Sequence, residues 1–169
     1  MIEKILVAYA TKFGATGEIA ETIAATLREN GKDAEAKPIH DIYDITPYTT
    51  IILGSPIYYH KALPEITAFV RDHQNMLREI PVLGFLSGYT LIDISPERKK
   101  AASNAFDDVR VYTDIRETGY FAGKVLDDGF SLREKAAMKM EGIKPGDFRN
   151  METIRSWTRG LIDLRLLHM

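Results

Sequence analysis

Short unbroken apolar runs alternate along this chain with longer stretches in which apolar residues return every three or four positions. The first run, Ile5 to Tyr9, is too short for an ordinary helix and rich in residues that favour extended backbone, so it predicts a strand buried on both faces. From Ile19 onward the apolar positions fall at Ile19, Ala20, Ile23, Ala24 and Leu27, the spacing of one helix face, and Asn30-Gly31 marks that helix's end. The alternation then repeats. Ala34 to Ile39 predicts a short edge strand of weak β-propensity, and Tyr48 to Gly54 a third strand. Pro64 and Glu65 open a helix with Ile66, Phe69, Val70 and Leu77 inward. Val82 to Leu86 forms a fourth strand, and Ser95-Pro96-Glu97 starts a helix with Ala101, Ala102, Ala105 and Phe106 inward. A fifth strand covers roughly Val109 to Phe121, interrupted near Asp114 to Glu117. An insert from Lys124 to Arg149 holds a helix from Ser131 to Glu141 with its own capping box, and Asn150 caps a last helix packed through Ile154, Trp157, Leu161 and Leu164.

Five strands alternating with helices predict an α/β fold, a single domain over residues 1–169 with an open parallel sheet and helices on both faces, because right-handed crossovers place them there. All strands of such a sheet end at one edge, so the loops after the first, third and fourth strands lie side by side. Those loops carry the unusual chemistry.

The first, Thr11-Lys-Phe-Gly-Ala-Thr16, joins a buried strand to a helix and so aims backbone N–H groups and the positive end of the helix dipole at one point. A phosphate suits that point. Thr11 and Thr16 offer hydroxyl donors and Gly14 a close backbone approach; the plainer reading makes Thr16 a helix N-cap and Gly14 a turn residue. The loop lacks the glycine, lysine and hydroxyl spacing of a nucleotide triphosphate loop and also lacks Gly-x-Gly-x-x-Gly. A phosphatase of similar architecture needs a cysteine nucleophile, and the chain has none. A phospho-receiver needs acidic residues where Ala8-Tyr9-Ala10 stand. The second loop, Ser55 to Lys61, holds two adjacent tyrosines and a histidine, and the third is Ser87-Gly-Tyr-Thr90.

The pattern Thr11-x-x-Gly14-x-Thr16 after an N-terminal strand resembles the FMN phosphate loop of the flavodoxin family, and Phe13 departs from it where that family has its middle hydroxyl. The resemblance runs through nearly the whole chain. It is closest to the branch containing the menaquinone-dependent protoporphyrinogen dehydrogenases, to which Lys12, the Gly54-Ser55 turn and the segment Gly146-Asp-Phe-Arg-Asn150 are similar. This implies a flavodoxin-like three-layer sandwich with strand order 2-1-3-4-5. It also implies that Thr11, Lys12, Phe13, Gly14, Ala15 and Thr16 hold the FMN phosphate. Ser55, Pro56, Ile57, Tyr58 and Tyr59 would form one ring-binding loop and Ser87, Gly88 and Tyr89 another. Tyr58 or Tyr59 would stack on one face of the ring and Tyr89 on another, while backbone groups of Ser55, Ile57 and Gly88 would meet its edge.

Composition narrows what such a site is for. With 169 residues, 45% of them hydrophobic, the chain has the material for one substantial core. Zero cysteines exclude disulfides, thiol catalysis and iron–sulfur ligation, so redox chemistry falls to an organic cofactor. His40, His73 and His168 have no metal-ligand spacing, and His60 at the site rim reads as a solvated bystander, a proton donor or an electrostatic tuner. The start of the chain lacks a signal pattern and no apolar run reaches the ~20 residues that span a bilayer, so a soluble, cytoplasmic protein is expected. A net charge of −2 with mixed signs gives no nucleic-acid footprint. It also gives no strongly acidic docking face, whereas Lys12, His60 and Lys61 would ring the site. The insert helix reads as a solvated cover helix or, through Arg133, Lys135 and Lys139, as a peripheral membrane or partner contact.

Three functions stay open on these residues: an FMN-dependent oxidoreductase acting on a small quinone-like or tetrapyrrole molecule, as the branch implies; a carrier passing electrons to a protein partner; and a flavin-free interaction domain on the same fold.

Overall fold

The computed structural model describes residues 2–12, 14–125, 131–140, 142 and 146–168, so Phe13 and residues 126–130, 141 and 143–145 of the insert lie outside the described residues. The elements run β1 (Ile5–Tyr9), α1 (Ala15–Glu29), β2 (Ala34–Pro38), β3 (Thr50–Tyr58), β4 (Lys61–Ala62), α2 (Pro64–Asp72) and α3 (Gln74–Leu77). They continue with β5 (Val82–Gly88), α4 (Pro96–Ser103), α5 (Asp107–Arg110), β6 (Thr118–Ala122), β7 (Lys124–Val125), α6 (Leu132–Met140), β8 (Gly146–Asp147) and α7 (Met151–Asp163).

Five strands lie parallel in the order β2-β1-β3-β5-β6, which is 2-1-3-4-5 counted over the parallel strands. A short sixth, β4, folds back antiparallel on the end of β3. Alternation along each strand sends side chains to opposite faces. Leu6, Ala8, Ile51, Leu53 and Leu86 face one layer with Phe69, Val70 and Phe106, whereas Ile5, Val7, Ile52, Leu83 and Phe85 face the other with Ile19, Ile23 and Ile154. The helices α1, α2 and α7 therefore bury their apolar stripes on a sheet that is apolar on both sides, and the three-layer sandwich follows. Neighbouring strands pack closely at Gly54, which lies opposite Phe85 in β5. A Cβ there would stand 2.1 Å from the ring of Phe85, which is fully buried.

Several sequence expectations need correction. The third strand does not stop at Gly54. Ser55 and Pro56 continue it, opposite Leu86 and Ser87, so the Gly54-Ser55 step is ladder rather than turn. The expected fifth strand splits. Asp107 and Asp108 favour a helix start, Val109 is the one buried residue of α5, and the strand begins only at Thr118. Ala101 is exposed, because α4 meets the core through Ala102 instead. Leu164 is 71% exposed, because α7 ends at Asp163 and the chain turns back through Arg165 at φ 55°, sending Leu167 into the core. Thr50 fixes that return by donating to the Leu167 carbonyl at 2.7 Å. Two expected caps are present: Ser131 and Glu134 form the reciprocal box of α6, and Asn150 Oδ1 accepts from Thr153 N at 3.2 Å.

Candidate functional site

At the carboxyl edge of the sheet, β1 gives way to Ala10, whose N–H donates to the Gly54 carbonyl at 2.9 Å. Thr11 Oγ1 then accepts from Gly14 N at 2.8 Å, closing the loop on itself. Gly14 is the N-cap of α1, with φ 91° and no side-chain cap, so the cap is not Thr16. The first helical bond runs from Glu18 N to Gly14 O. Helix geometry leaves the N–H groups of Ala15, Thr16 and Gly17 without an acceptor inside α1, and the dipole adds to their positive field. Thr16 itself is 2% exposed, and its hydroxyl lies 3.0 Å from Ser87 Oγ. The phosphate-type loop and the end of β5 are thereby joined through two buried hydroxyls.

The second loop is a hairpin tip. Tyr59 at φ 50° and His60 at φ 66° both lie in the left-handed region, as a two-residue turn of type I′ requires. Bulky residues there cost about 1–2 kcal/mol each. The hairpin is held against that cost by ladder pairs Ile57–Ala62 and Tyr58–Lys61 and by Ser55. Its buried hydroxyl accepts from Leu63 N and donates to the Pro56 carbonyl, both at 2.8 Å. Ser55 thus staples the hairpin's base.

Tyr58 is half-buried and Tyr59 exposed, their rings edge to face with centroids 4.5 Å apart. A hydrogen bond with Tyr58 holds the Tyr59 hydroxyl above the usual phenol range. The Lys12 ammonium lies 3.5 Å from the centre of the Tyr58 ring and 3.6 Å from the Glu134 carboxylate on α6. Burial opposes the charge on Glu134, but bonds from Ser131 and the Lys12 ammonium outweigh it and hold the carboxyl below its usual range. The insert helix is therefore tied to the phosphate-type loop.

In the third loop, Gly88 ends β5 opposite Ala122 and accepts from Gly123 N at 3.2 Å. Tyr89, half-buried, starts a single 3₁₀ turn anchored by the buried Leu91. Beyond it, β7 and β8 form an antiparallel ribbon. Arg149, just after that ribbon, is nearly buried and forms ion pairs with Asp147, at 2.7 Å, and with Glu18 in the first turn of α1. Nothing in the sequence links Arg149 to Glu18, because the two lie 131 residues apart and share no spacing pattern.

Loops converging at the point where strand order reverses, between β1 and β3, define a doubly wound domain of the kind that binds mononucleotides at its carboxyl edge, flavodoxins among them. The Flavodoxin domain profile matches residues 6–144, and the chain belongs to the flavodoxin-domain family. FMN is the cofactor of that family, so the expectation of an FMN-type redox domain holds at this level. The chain is 29% identical over 108 residues to the protoporphyrinogen IX dehydrogenase [quinone] of Escherichia coli K12, covering 61% of this chain and 57% of that protein. It thus spans little more than half the length of the curated relatives it matches. Solved structures with the same fold include Flavodoxin 1 of Bacillus cereus, at 17% identity, TM-score 0.61 and coverage of 95% of this chain and 98% of that one. The flavodoxin of Streptococcus pneumoniae TIGR4 aligns at 19% identity, TM-score 0.59, with 95% and 98% covered. Among the described residues no helix is long and apolar enough to cross a membrane.

Proposed function

We propose that the chain holds one FMN and acts as an FMN-dependent oxidoreductase on a flat organic molecule of quinone or tetrapyrrole type. The observation that carries the cofactor assignment is the start of α1, where a left-handed glycine without a side-chain cap leaves consecutive N–H donors for a phosphate. The surrounding residues fit that group. Thr11 Oγ1 already accepts from Gly14 N, so its own proton remains to donate outward. The bond between Thr16 and Ser87 uses one of their two hydroxyl protons and leaves the other for an oxygen of the phosphate or ribityl chain. Lys12 would add a cation at the loop's outer side. Tyr58 and Tyr59 would present aromatic faces from the hairpin and Tyr89 from the third loop, with Ser55 keeping the hairpin in place rather than touching the ligand by its side chain. When bound, FMN supplies a reversible acceptor of electrons and protons.

The oxidoreductase reading draws support from the dehydrogenase relative and from the charge around the site. Lys12 is balanced by Glu134 and Lys61 by Asp108, so no strong single-sign field surrounds the hairpin. A carrier that steers protein partners relies on such a field. The carrier remains the second reading, favoured by Tyr59, 62% exposed at the hairpin tip where a docking protein would reach it. The test is turnover by the FMN-loaded protein with menaquinone analogues and protoporphyrinogen, beside electron exchange with a ferredoxin-type protein. Turnover of the small molecules supports the oxidoreductase. Exchange with the protein partner alone favours the carrier, and a chain that takes up no FMN overturns both.

A further inference from the structure

A groove of about 680 Å³ runs beside the Tyr58–Tyr59 hairpin, between α2 and the turn after α5, and shares those two tyrosines with the candidate site. Its surface is mainly apolar: Tyr58 and Tyr59 close one end, Ala62 and Ala68 lie along one wall, and Val111 and Tyr112 form the other. Val111 is 73% exposed there, apolar area with nothing packed over it. The volume is that of a site for a small organic molecule, for which pockets of roughly 300–1,000 Å³ are usual.

Charge at the rim selects the kind of molecule. Lys61 is paired with Asp108 at 3.1 Å, and Arg71 with Asp72 through its Nε at 3.4 Å. Both cations are already balanced, so an anion would have to displace a carboxylate. A neutral ligand would not. A guanidinium has five N–H donors, and the bond to Asp72 uses the one on Nε, so the terminal groups of Arg71 remain to donate to a carbonyl oxygen. Apolar walls, balanced charge and rim donors together fit an uncharged aromatic molecule with carbonyl acceptors.

We propose that this groove is the binding site for such a ligand, of the quinone class, on the α2 and α5 side of the hairpin. The inference rests on the flavin reading for its purpose, since Tyr58 and Tyr59 would then stand between cofactor and ligand. It also places the ligand against α2 and α5.

The test is titration of the full-length, FMN-saturated, oxidised protein with menadione, followed by ¹H–¹⁵N NMR; with no cysteine in the chain, quinone addition to thiols does not interfere. The amides of Ala68, Arg71, Val111 and Tyr112 should shift together and saturate. Ala68→Trp, which fills the groove, should weaken menadione roughly tenfold or more while leaving FMN affinity within about twofold. Val111→Glu, at an exposed position that folding does not need, should weaken it in the same direction. Shifts confined to the Thr11–Thr16 or Tyr89 loops, absence of saturation, or unchanged menadione affinity in a folded variant would overturn the proposal. Failure of the flavin reading shows separately, as absence of FMN uptake in a direct FMN titration.

Discussion

The Lys12 ammonium covers a face of the Tyr58 ring at 3.5 Å while standing 3.6 Å from Glu134, so one side chain links the phosphate-type loop, the aromatic hairpin and the insert helix. The link has a pH dependence of known sign. The folded Glu134 pKa lies below its ordinary value of 4.5, so its contribution to holding α6 in place is fully present above that value and is lost as pH falls through the lower folded pKa. Hydrogen exchange of α6 amides should therefore accelerate, beyond its intrinsic pH trend, as pH drops below about 4.5. Glu134→Gln should remove that dependence. An α6 whose protection follows the same pH course in both proteins would show that the pair does not hold it.

Thr16 and Ser87 give a second prediction. Both are 2% exposed and they bond each other across the gap between α1 and β5. Thr16→Val keeps the shape and removes a hydroxyl, leaving Ser87 without that partner, which should cost about 1–3 kcal/mol of stability. FMN affinity should fall together with stability, and a cycle with Ser87→Ala should reveal coupling of about 0.5 kcal/mol or more. Additive effects in urea unfolding would mean that the two hydroxyls act independently.

The hairpin tip gives a third. His60 occupies the left-handed region at φ 66°, where a side chain costs about 1–2 kcal/mol relative to glycine. His60→Gly relieves that strain but restores some chain entropy to the unfolded state, about 0.5–1 kcal/mol. The net expectation is a gain of up to about 1.5 kcal/mol, read as a higher Tm. A lower Tm would mean that the imidazole makes a stabilising contact that outweighs the strain. FMN affinity measured on the same variant tells whether His60 is the bystander its position at an exposed tip suggests.

Much of this architecture was legible in the sequence because apolar periodicity reports burial directly. Ile19, Ala20, Ile23, Ala24 and Leu27 all face the core as their spacing requires, and Pro64 opens α2. What failed to show were features set by contacts between distant segments. The polar step Ser55-Pro56 reads as a loop, yet it continues β3 because Leu86 and Ser87 lie beside it and Leu63 donates to Ser55. Thr16 looks like a cap until Ser87 is brought to it. Val109 has the propensity of a strand residue, but a single buried position flanked by charged residues suits a short helix as well. The groove between α2 and α5 had no signature at all, since its lining comes from separate elements.

Gly54 carries the last prediction, which tests the sheet on which all the loops depend. Its position in β3 lies opposite Phe85 in β5, and a Cβ there would stand 2.1, 2.3 and 2.8 Å from three atoms of that ring. Phe85 is fully buried among apolar neighbours on the α1 and α7 side, so the ring has no open space into which to retreat. Gly54→Ala should therefore destabilise the protein by roughly 1–3 kcal/mol or more through overpacking, although alanine is otherwise the better residue for an ordered backbone. The cause can be separated from any loss of backbone freedom by shrinking the partner. Phe85→Leu alone should also destabilise, by opening space in the core, but combined with Gly54→Ala the two losses should partly cancel, because the new methyl enters the volume that the ring vacates. Urea unfolding of the four proteins in the cycle measures this. A double variant no more stable than the sum of the single losses would mean that glycine is needed at position 54 for its backbone and not for the ring packed against it.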